Sequence, residues 1–240
     1  MGGRPRRPVR PLIVQAMEAE CAPVRDALSI GGPGQQLHPA FPARLWERGD
    51  VAIAVNGVDP RFGVDSIGGQ PAVTTTLHAI ESARPDLVIS AGTAGGFAAK
   101  GAEIGSVYLA DRCVFHDRRI AIAGFDRYGV GDYPMAELHE TVGKLGFDRG
   151  TVSTGNALDA PAVDLATMAA TAVVAKDMEA ASVAWVCERM EVPFAALKVV
   201  TDLIDGPEPT AQQFTRNLKA ATEMLATSVA ALVGLAISEL

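Results

Sequence analysis

Short apolar runs alternate along this chain with stretches whose apolar residues recur at helical spacing. The short runs are rich in Val, Ile, Leu and Ala and predict buried strands, whereas apolar residues at i, i+3, i+4 and i+7 predict amphipathic helices. The predicted strands are 12–16, 43–48, 51–55, 87–90, 107–110, 113–115, 151–154, 171–175 and 194–200. Because strands and helices alternate, the pattern predicts an α/β sandwich with a parallel or mixed central sheet.

Glycine and proline mark the predicted connections between these elements. Residues 31–42 and 125–134 are predicted loops, and 70–82, 136–145 and the segment from Thr210 to the C-terminus are predicted helices. The segment Gly-Thr-Ala-Gly-Gly at 92–96 is interpreted as a turn after the strand at 87–90. It matches neither G-x-G-x-x-G nor a Walker A loop, so it does not indicate a dinucleotide or nucleoside triphosphate.

Composition limits the class of protein. A chain of 240 residues with 48% hydrophobic content suits one α/β domain with a large core. We expect that domain to span 11–240, after a flexible, arginine-rich arm at 1–10. A net charge of -7 argues against nucleic acid or an anionic membrane as a partner. The apolar run at 228–237 is shorter than the roughly 20 residues of a membrane span.

Cysteine and histidine spacing argues against disulfides and metal. The three cysteines include no C-x-x-C pair, which suits a reducing compartment and predicts a cytoplasmic protein. The four histidines lack the spacing of zinc ligands, so we expect no metal site.

Several polar side chains follow predicted strands, and ligands of α/β folds gather at the carboxyl ends of strands. Glu20, Thr93, Glu179 and Asp202 are expected on that rim, with Asn156 nearby. Taken by itself, Glu179 also fits a structural role, because the dipole of the helix that follows favours an acidic residue in its first turn. Its expected neighbours favour a role in ligand binding.

Carboxylates without a Ser-His or Cys-His pair suit acid/base chemistry on a neutral organic substrate. Cleavage of a glycosidic bond uses one carboxylic acid to protonate the leaving group and one carboxylate to activate water. The spacing of these residues does not say which carboxylate has which role.

A series of motifs gives a more specific indication, because together they resemble the nucleoside phosphorylase and hydrolase superfamily. Within it the chain is similar to the 5′-methylthioadenosine / S-adenosylhomocysteine nucleosidases, especially the plant-type branch. The motifs are AMEAE at 16–20, GVDS at 63–66, AGTAGGF at 91–97, FHDRRI at 115–120, YGVG at 128–131, STG at 153–155, KDME at 176–179 and VTDLIDG at 200–206.

The resemblance implies a three-layer α/β/α sandwich with a mixed sheet, a homodimer, no cofactor and hydrolysis of an adenine N-glycosidic bond. Asp202 would be the general acid that relays a proton to the purine N7, and Glu20 would deprotonate the attacking water. Glu179 would bind the ribose 2′ and 3′ hydroxyl groups, with Met178 against the sugar and Thr93 near the ribose or the water.

The remaining residues of the expected site also follow from the resemblance. Lys176 and Asp177 would complete the turn from strand to helix. Leu158 and Ile120 would line the pocket, and Ile120 would do so in the partner's site. Asn156 stands where many family members carry Asp, which removes a charge near the base.

Two alternatives remain open from the sequence. A phosphorylase would use phosphate instead of water, but related phosphorylases place an Arg in the strand before the Gly-Thr segment, and 89–91 offers none. A catalytically silent nucleoside-binding protein would share the fold, although Glu20, Glu179 and Asp202 are all present.

Overall fold

A mixed nine-stranded sheet forms the centre of the computed structural model, which describes residues 9–138, 143 and 145–239. The strand order is β2-β3-β4-β1-β5-β8-β7-β6-β9. The strands are β1 (Pro11–Gln15), β2 (Gln35–His38), β3 (Phe41–Arg48), β4 (Val51–Val55), β5 (Leu87–Gly96), β6 (Val107–Phe115), β7 (Asp148–Thr154), β8 (Val173–Asp177) and β9 (Phe194–Leu203).

Helices cover both faces of this sheet. They are α1 (Glu18–Ala27), α2 (Gly69–Ala83), α3 (Asp126–Val130), α4 (Ala162–Ala170), α5 (Ala180–Arg189) and α6 (Thr210–Glu239). α1 and α6 pack together on one face, and α2 and α5 pack together on the other. Each face has its own core of small aliphatic side chains, so the predicted three-layer α/β/α sandwich with a mixed sheet is confirmed.

The strand β5 organises the sheet because it pairs with three other strands. β9 runs parallel to it along one edge, from Val88 to Gly96. The other edge is shared: β1 pairs in parallel with residues 87–90, and β8 pairs antiparallel with Gly95 and Gly96. The carboxyl ends of β1 and β8 therefore face each other across residues 91–94 of β5. The β5–β9 pairing also closes β5, β8, β7, β6 and β9 into a ring.

The glycine-rich segment at 92–96 is not a turn, so that prediction is wrong. It continues β5, and its glycines leave space for carboxylates instead of bending the chain. A Cβ atom on Gly92 would lie 3.1 Å from Glu20 Oε1, and one on Gly95 would lie 2.8 Å from Asp202 Oδ2. Glycine in a strand often marks such a close approach.

Three other predictions needed correction. The expected loop at 31–42 contains the edge strand β2, which has little buried surface and so lacks an apolar pattern. The expected strands at 107–110 and 113–115 are one strand, with a register shift between Ala110 and Arg112. The expected loop at 125–134 contains the short helix α3.

Two predicted segments fall partly outside the described residues. Of the expected helix at 136–145, residues 139–142 and 144 are not described, and 136–138 are not helical. Of the expected arm at 1–10, only Val9 and Arg10 are described. Val9 is buried in a core, and Arg10 donates to Asp86 Oδ2 and to the carbonyl of Ala83. Val9 and Arg10 are therefore part of the folded domain.

The last helix, α6, is long and apolar enough to span a membrane by length and composition alone. Its apolar residues pack against β5, β9 and α1, and they include Leu225, Val229 and Leu232. This packing is that of a core helix in a globular domain.

Candidate active site

A cavity of about 340 Å³ opens where the carboxyl ends of β1 and β8 face each other across β5. Residues from β5 and β9 form its floor, and the segments that follow β1 and β8 form its walls. It is lined by Ala16, Met17, Glu20, Ile67, Thr93, Ala94, Gly95, Leu158, Lys176, Asp177, Met178, Glu179, Thr201, Asp202, Ile204 and Phe214.

Glu20 enters the cavity from the first turn of α1. Its Oε1 atom accepts hydrogen bonds from the backbone N–H of Thr93 at 2.7 Å and from the Thr93 hydroxyl at 2.9 Å. Its Oε2 atom accepts a longer bond from the Met17 N–H at 3.3 Å. Burial raises the pKa of Glu20, while the Thr93 N–H and the charge of Lys198 oppose that shift. Donors thus fix the direction of this carboxylate.

A buried ion pair lies beneath the two glutamates. The Lys198 ammonium group comes from the middle of β9 and contacts Asp177 Oδ2 at 2.8 Å, with both side chains almost fully enclosed. Burial alone would lower the pKa of Lys198, but Asp177 and Glu179 more than offset that effect and the pKa is raised. Ser90 accepts a further bond from the same ammonium group at 3.2 Å.

The turn after β8 holds Glu179 at the start of α5. The sequence predicts that Glu179 lies in the first turn of this helix; in the structure Glu179 is the N-cap residue and the helix begins at Ala180. Asp177 Oδ2 accepts from the Ala180 N–H at 2.8 Å, so Asp177 stabilises the helix start. Glu179 instead accepts a bond from the Gly68 N–H at 2.7 Å. Burial, together with the charge of Asp177, raises the pKa of Glu179 to about 7.

Asp202 faces the cavity from β9, on the far edge of β5. Its Oδ1 atom accepts a hydrogen bond from the Thr201 hydroxyl at 2.8 Å. Burial raises the pKa of Asp202, and the Thr201 hydroxyl and the charge of Lys176 act in the opposite direction. A carboxyl with a raised pKa and an oxygen directed over Gly95 is able to carry a proton to a bound molecule.

Comparisons with known proteins agree with this geometry. The sequence profile of the phosphorylase superfamily matches residues 12–234. A 5′-methylthioadenosine nucleosidase of Arabidopsis thaliana is 38% identical over 225 residues, which are 91% of this chain and 84% of that protein. A 5′-methylthioadenosine/S-adenosylhomocysteine nucleosidase of the same plant is 35% identical over 95% of this chain and 92% of its own length. This chain belongs to the nucleosidase family within that superfamily.

The fold comparison leads to the same family. The structure of the Arabidopsis thaliana 5′-methylthioadenosine nucleosidase without ligand superposes with a TM-score of 0.93 at 36% identity. The superposition covers 98% of this chain and all of that one. A nucleoside phosphorylase/hydrolase-like fold is therefore confirmed.

The structure brings together most of the residues that the family resemblance selected. Glu20, Thr93, Leu158, Lys176, Asp177, Met178, Glu179 and Asp202 all line the cavity. Ile120 lies outside the cavity of the single chain and is partly exposed, so its expected place in a partner's site stays a prediction. Within the described residues no group of His, Cys, Asp and Glu side chains is arranged to hold a metal ion.

Asn156 is exposed and does not line the cavity, and its expected closeness to the base stays a prediction. Its side-chain oxygen accepts a bond from the Gly69 N–H at 2.8 Å, at the start of α2. Its own N–H donates to Asp117 Oδ2 at 2.8 Å. Asn156 therefore joins the loop that carries Leu158 to the helix that follows Ile67.

Three residues in or beside the cavity lie outside every motif that the sequence singles out: Lys198, Ile67 and Phe214. Lys198 had a signal, because a lysine inside the apolar run at 194–200 must find an ionic partner if that strand is buried. Ile67 and Phe214 lie in a loop and on a long helix, and nothing in the local pattern separates them from other apolar residues.

Proposed function

We propose that this protein hydrolyses the N-glycosidic bond of 5′-methylthioadenosine, which yields adenine and 5-methylthioribose. The observation that carries the proposal is that a protonatable carboxyl, Asp202, and a carboxylate held by fixed donors, Glu20, line one cavity from opposite edges of β5. A glycosidic bond between them would have an acid near its leaving group and a base near the attacking water.

In this proposal Asp202 protonates the purine N7, so that adenine leaves as a neutral molecule. Burial raises the pKa of Asp202, which keeps the proton available closer to neutral pH than for an exposed aspartate. The adenine N7 accepts the proton as the C1′–N9 bond breaks, and the sugar becomes an oxocarbenium-like cation.

Glu20 accepts a proton from the water that attacks C1′. The two bonds from Thr93 and the one from Met17 orient its carboxylate before the substrate binds. Glu179 binds the ribose 2′ and 3′ hydroxyl groups, and Met178 packs against the sugar. In their ionised forms both glutamates also place negative charge near the cation that develops on the sugar ring.

The same geometry favours water over phosphate as the nucleophile. Glu20 accepts hydrogen bonds from both the N–H and the hydroxyl group of Thr93, so these two donors are not available to a phosphate ion. A phosphate beside Glu20 and Glu179 would also experience repulsion from two carboxylates.

The proposal includes a homodimer in the cytoplasm. Exposed apolar side chains in the segments at 58–67 and 120–128 support self-association, because Phe62, Ile122 and Tyr128 are each more than half exposed. Such an interface would bring Ile120 of each chain towards the other. The three cysteines are free thiols, which agrees with a reducing compartment.

Purified protein incubated with 5′-methylthioadenosine in phosphate-free buffer tests the proposal. We expect adenine and 5-methylthioribose, separated by chromatography, at a rate that added phosphate does not change. A rate that requires phosphate and yields a sugar 1-phosphate would show a phosphorylase. Binding without turnover would show a silent nucleoside-binding protein. A parallel assay with S-adenosylhomocysteine establishes how large a 5′ group the cavity accepts.

A further inference from the structure

We propose that Lys176 is a positioning residue for the general acid: its ammonium group fixes the loop at 157–158 and is the positive counter-charge of the Asp202 carboxylate. The inference rests on the proposed function, because it concerns the proton that Asp202 gives to the leaving group. It assigns Lys176 a role beyond completing the turn after β8.

The hydrogen bonds of Lys176 fasten a loop of the cavity. Its side chain is only 4% exposed. Its Nζ atom donates to the carbonyl oxygen of Ala157 at 2.5 Å and to that of Leu158 at 2.9 Å. Leu158 lines the cavity, so these bonds fix one of its walls. Carbonyl oxygens are neutral, and the positive charge of Lys176 still needs an anion.

The sheet register brings Asp202 opposite this charge. Lys176 is the partner of Gly95 in the β5–β8 pair, and Asp202 is the partner of Gly95 in the β5–β9 pair. Residues in register on neighbouring strands direct their side chains to the same face. Gly95 has no side chain, and the Asp202 carboxylate and the Ile204 side chain occupy the space above it. A Cβ atom there would come within 2.8 Å of Asp202 Oδ2.

The other charges near Lys176 are already paired or exposed. Asp177, on the same strand, has Lys198 as its ionic partner. Asp164 of α4 contacts Arg119, and Asp159 of the fastened loop is exposed to solvent. His116, directly after β6, has a pKa lowered by burial and by Lys176, which disfavours a positive charge there. Asp202 is thus the carboxylate that most depends on Lys176.

The charges have a direct effect on the acid. Burial lowers the pKa of Lys176, and Asp202 is the strongest of the groups that oppose this shift. In turn Lys176 lowers the raised pKa of Asp202. When Asp202 gives its proton to N7 it becomes an anion, and a fixed ammonium group stabilises that anion. Lys176 therefore eases the proton transfer and sets the pH above which the acid form is lost.

The first test compares the pH dependence of kcat for Lys176→Met and the wild-type protein with 5′-methylthioadenosine. A general acid must be protonated, so kcat falls as the pH rises through the pKa of Asp202. Without Lys176 that pKa rises, and we expect the alkaline fall in kcat at higher pH, with a loss of up to about a hundredfold at the optimum. Lys176→Arg keeps the charge and should keep the profile. Lys100→Met, at an exposed site, is the matched control.

The second test uses a leaving group that needs no acid. In the 4-nitrophenyl glycoside of 5-methylthioribose the leaving group departs as an anion, so a role through Asp202 predicts a much smaller loss in Lys176→Met. Equal losses with both substrates, or an unmoved alkaline fall, would overturn the inference. If Lys176→Met does not fold, Lys176→Gln is measured in the same way. Wild-type adenine release in the same series tests the proposed function separately.

Discussion

Two buried lysines, Lys198 beneath the cavity and Lys176 in its wall, differ in what binds their ammonium groups. Lys198 forms a direct ion pair with Asp177, whereas Lys176 donates to two backbone carbonyl oxygens. Their pKa values shift in opposite directions, raised for Lys198 and lowered for Lys176. Burial lowers the pKa of any lysine, and a contacting carboxylate offsets this effect more strongly than neutral oxygens do.

The difference separates the two ends of the cavity. At the end assigned to the sugar, Lys198 lies among Asp177, Glu179 and Glu20, and hydrogen bonds fix each of these carboxylates. At the end assigned to the base, Asp202 has one hydroxyl donor and a lysine whose hydrogen bonds go elsewhere. The hydrogen bonds around Lys198 hold the carboxylates at the sugar end in place. At the base end, the Asp202 carboxyl group has fewer partners and is able to exchange a proton.

The largest effect should come from Asp202→Asn, which removes the acid and leaves the sugar end intact. A general acid contributes about 10²- to 10⁴-fold to the rate, so we expect kcat to fall by that factor. Calorimetry should still detect binding of 5′-methylthioadenosine, because Glu179, Glu20 and Met178 are unchanged. Asp205→Asn is the control, since Asp205 is exposed and caps residues 98 and 99 outside the cavity. Loss of binding in Asp202→Asn would mean that the two ends do not act separately.

Lys198→Met should break the sugar end and destabilise the fold. Removal of one partner from a buried ion pair costs about 3–5 kcal/mol, which corresponds to roughly 10 °C in Tm for a chain of this size. Lys198 has a raised pKa, so its contribution is complete below the ordinary lysine pKa of 10.5 and is lost as the pH rises through the folded value. Denaturant unfolding measured from pH 7 to 11 should therefore give a free energy of unfolding that is lower for Lys198→Met than for the wild-type protein by a constant amount. This difference should become smaller only at the alkaline end of the range.

A double variant tests whether this loss comes from the ion pair. Lys198→Met combined with Asp177→Asn leaves no unpaired charge between these positions, so it should be more stable than the sum of the two single losses predicts. If the loss of unfolding free energy in the double variant equals the sum of the losses in the two single variants, Lys198 stabilises the fold through packing and not through the ion pair.

These lysines also show how far the sequence alone predicts the site. The alternation of apolar runs predicts β1, β4, β9 and the layer architecture, because each buried element carries its own periodic pattern. The same pattern wrongly predicts a turn at 92–96. The glycines of this segment leave space for Glu20 and Asp202, which come from distant parts of the chain. Contacts between residues that are distant in the sequence do not affect the local pattern of apolar and polar residues. The family resemblance identified the carboxylates of the site. The position of Lys176 opposite Asp202 depends on the pairing of β8 and β9 with β5, which the sequence does not predict.

The smallest effect should come from substitution of Asn156, whose side chain links the sugar end and the base end of the cavity. It fastens the loop of Leu158 to the start of α2, next to the Gly68 N–H that binds Glu179. Asn156→Ala removes an acceptor from a helix start, which costs about 1 kcal/mol and a Tm decrease of roughly 2–4 °C. Asn156→Asp keeps an acceptor oxygen and should retain the wild-type Tm. Because the loop and α2 flank the cavity, we expect KM for 5′-methylthioadenosine to rise in Asn156→Ala while kcat changes little. An unchanged KM with a large loss of kcat would instead place Asn156 with Asp202 in the transfer of the proton.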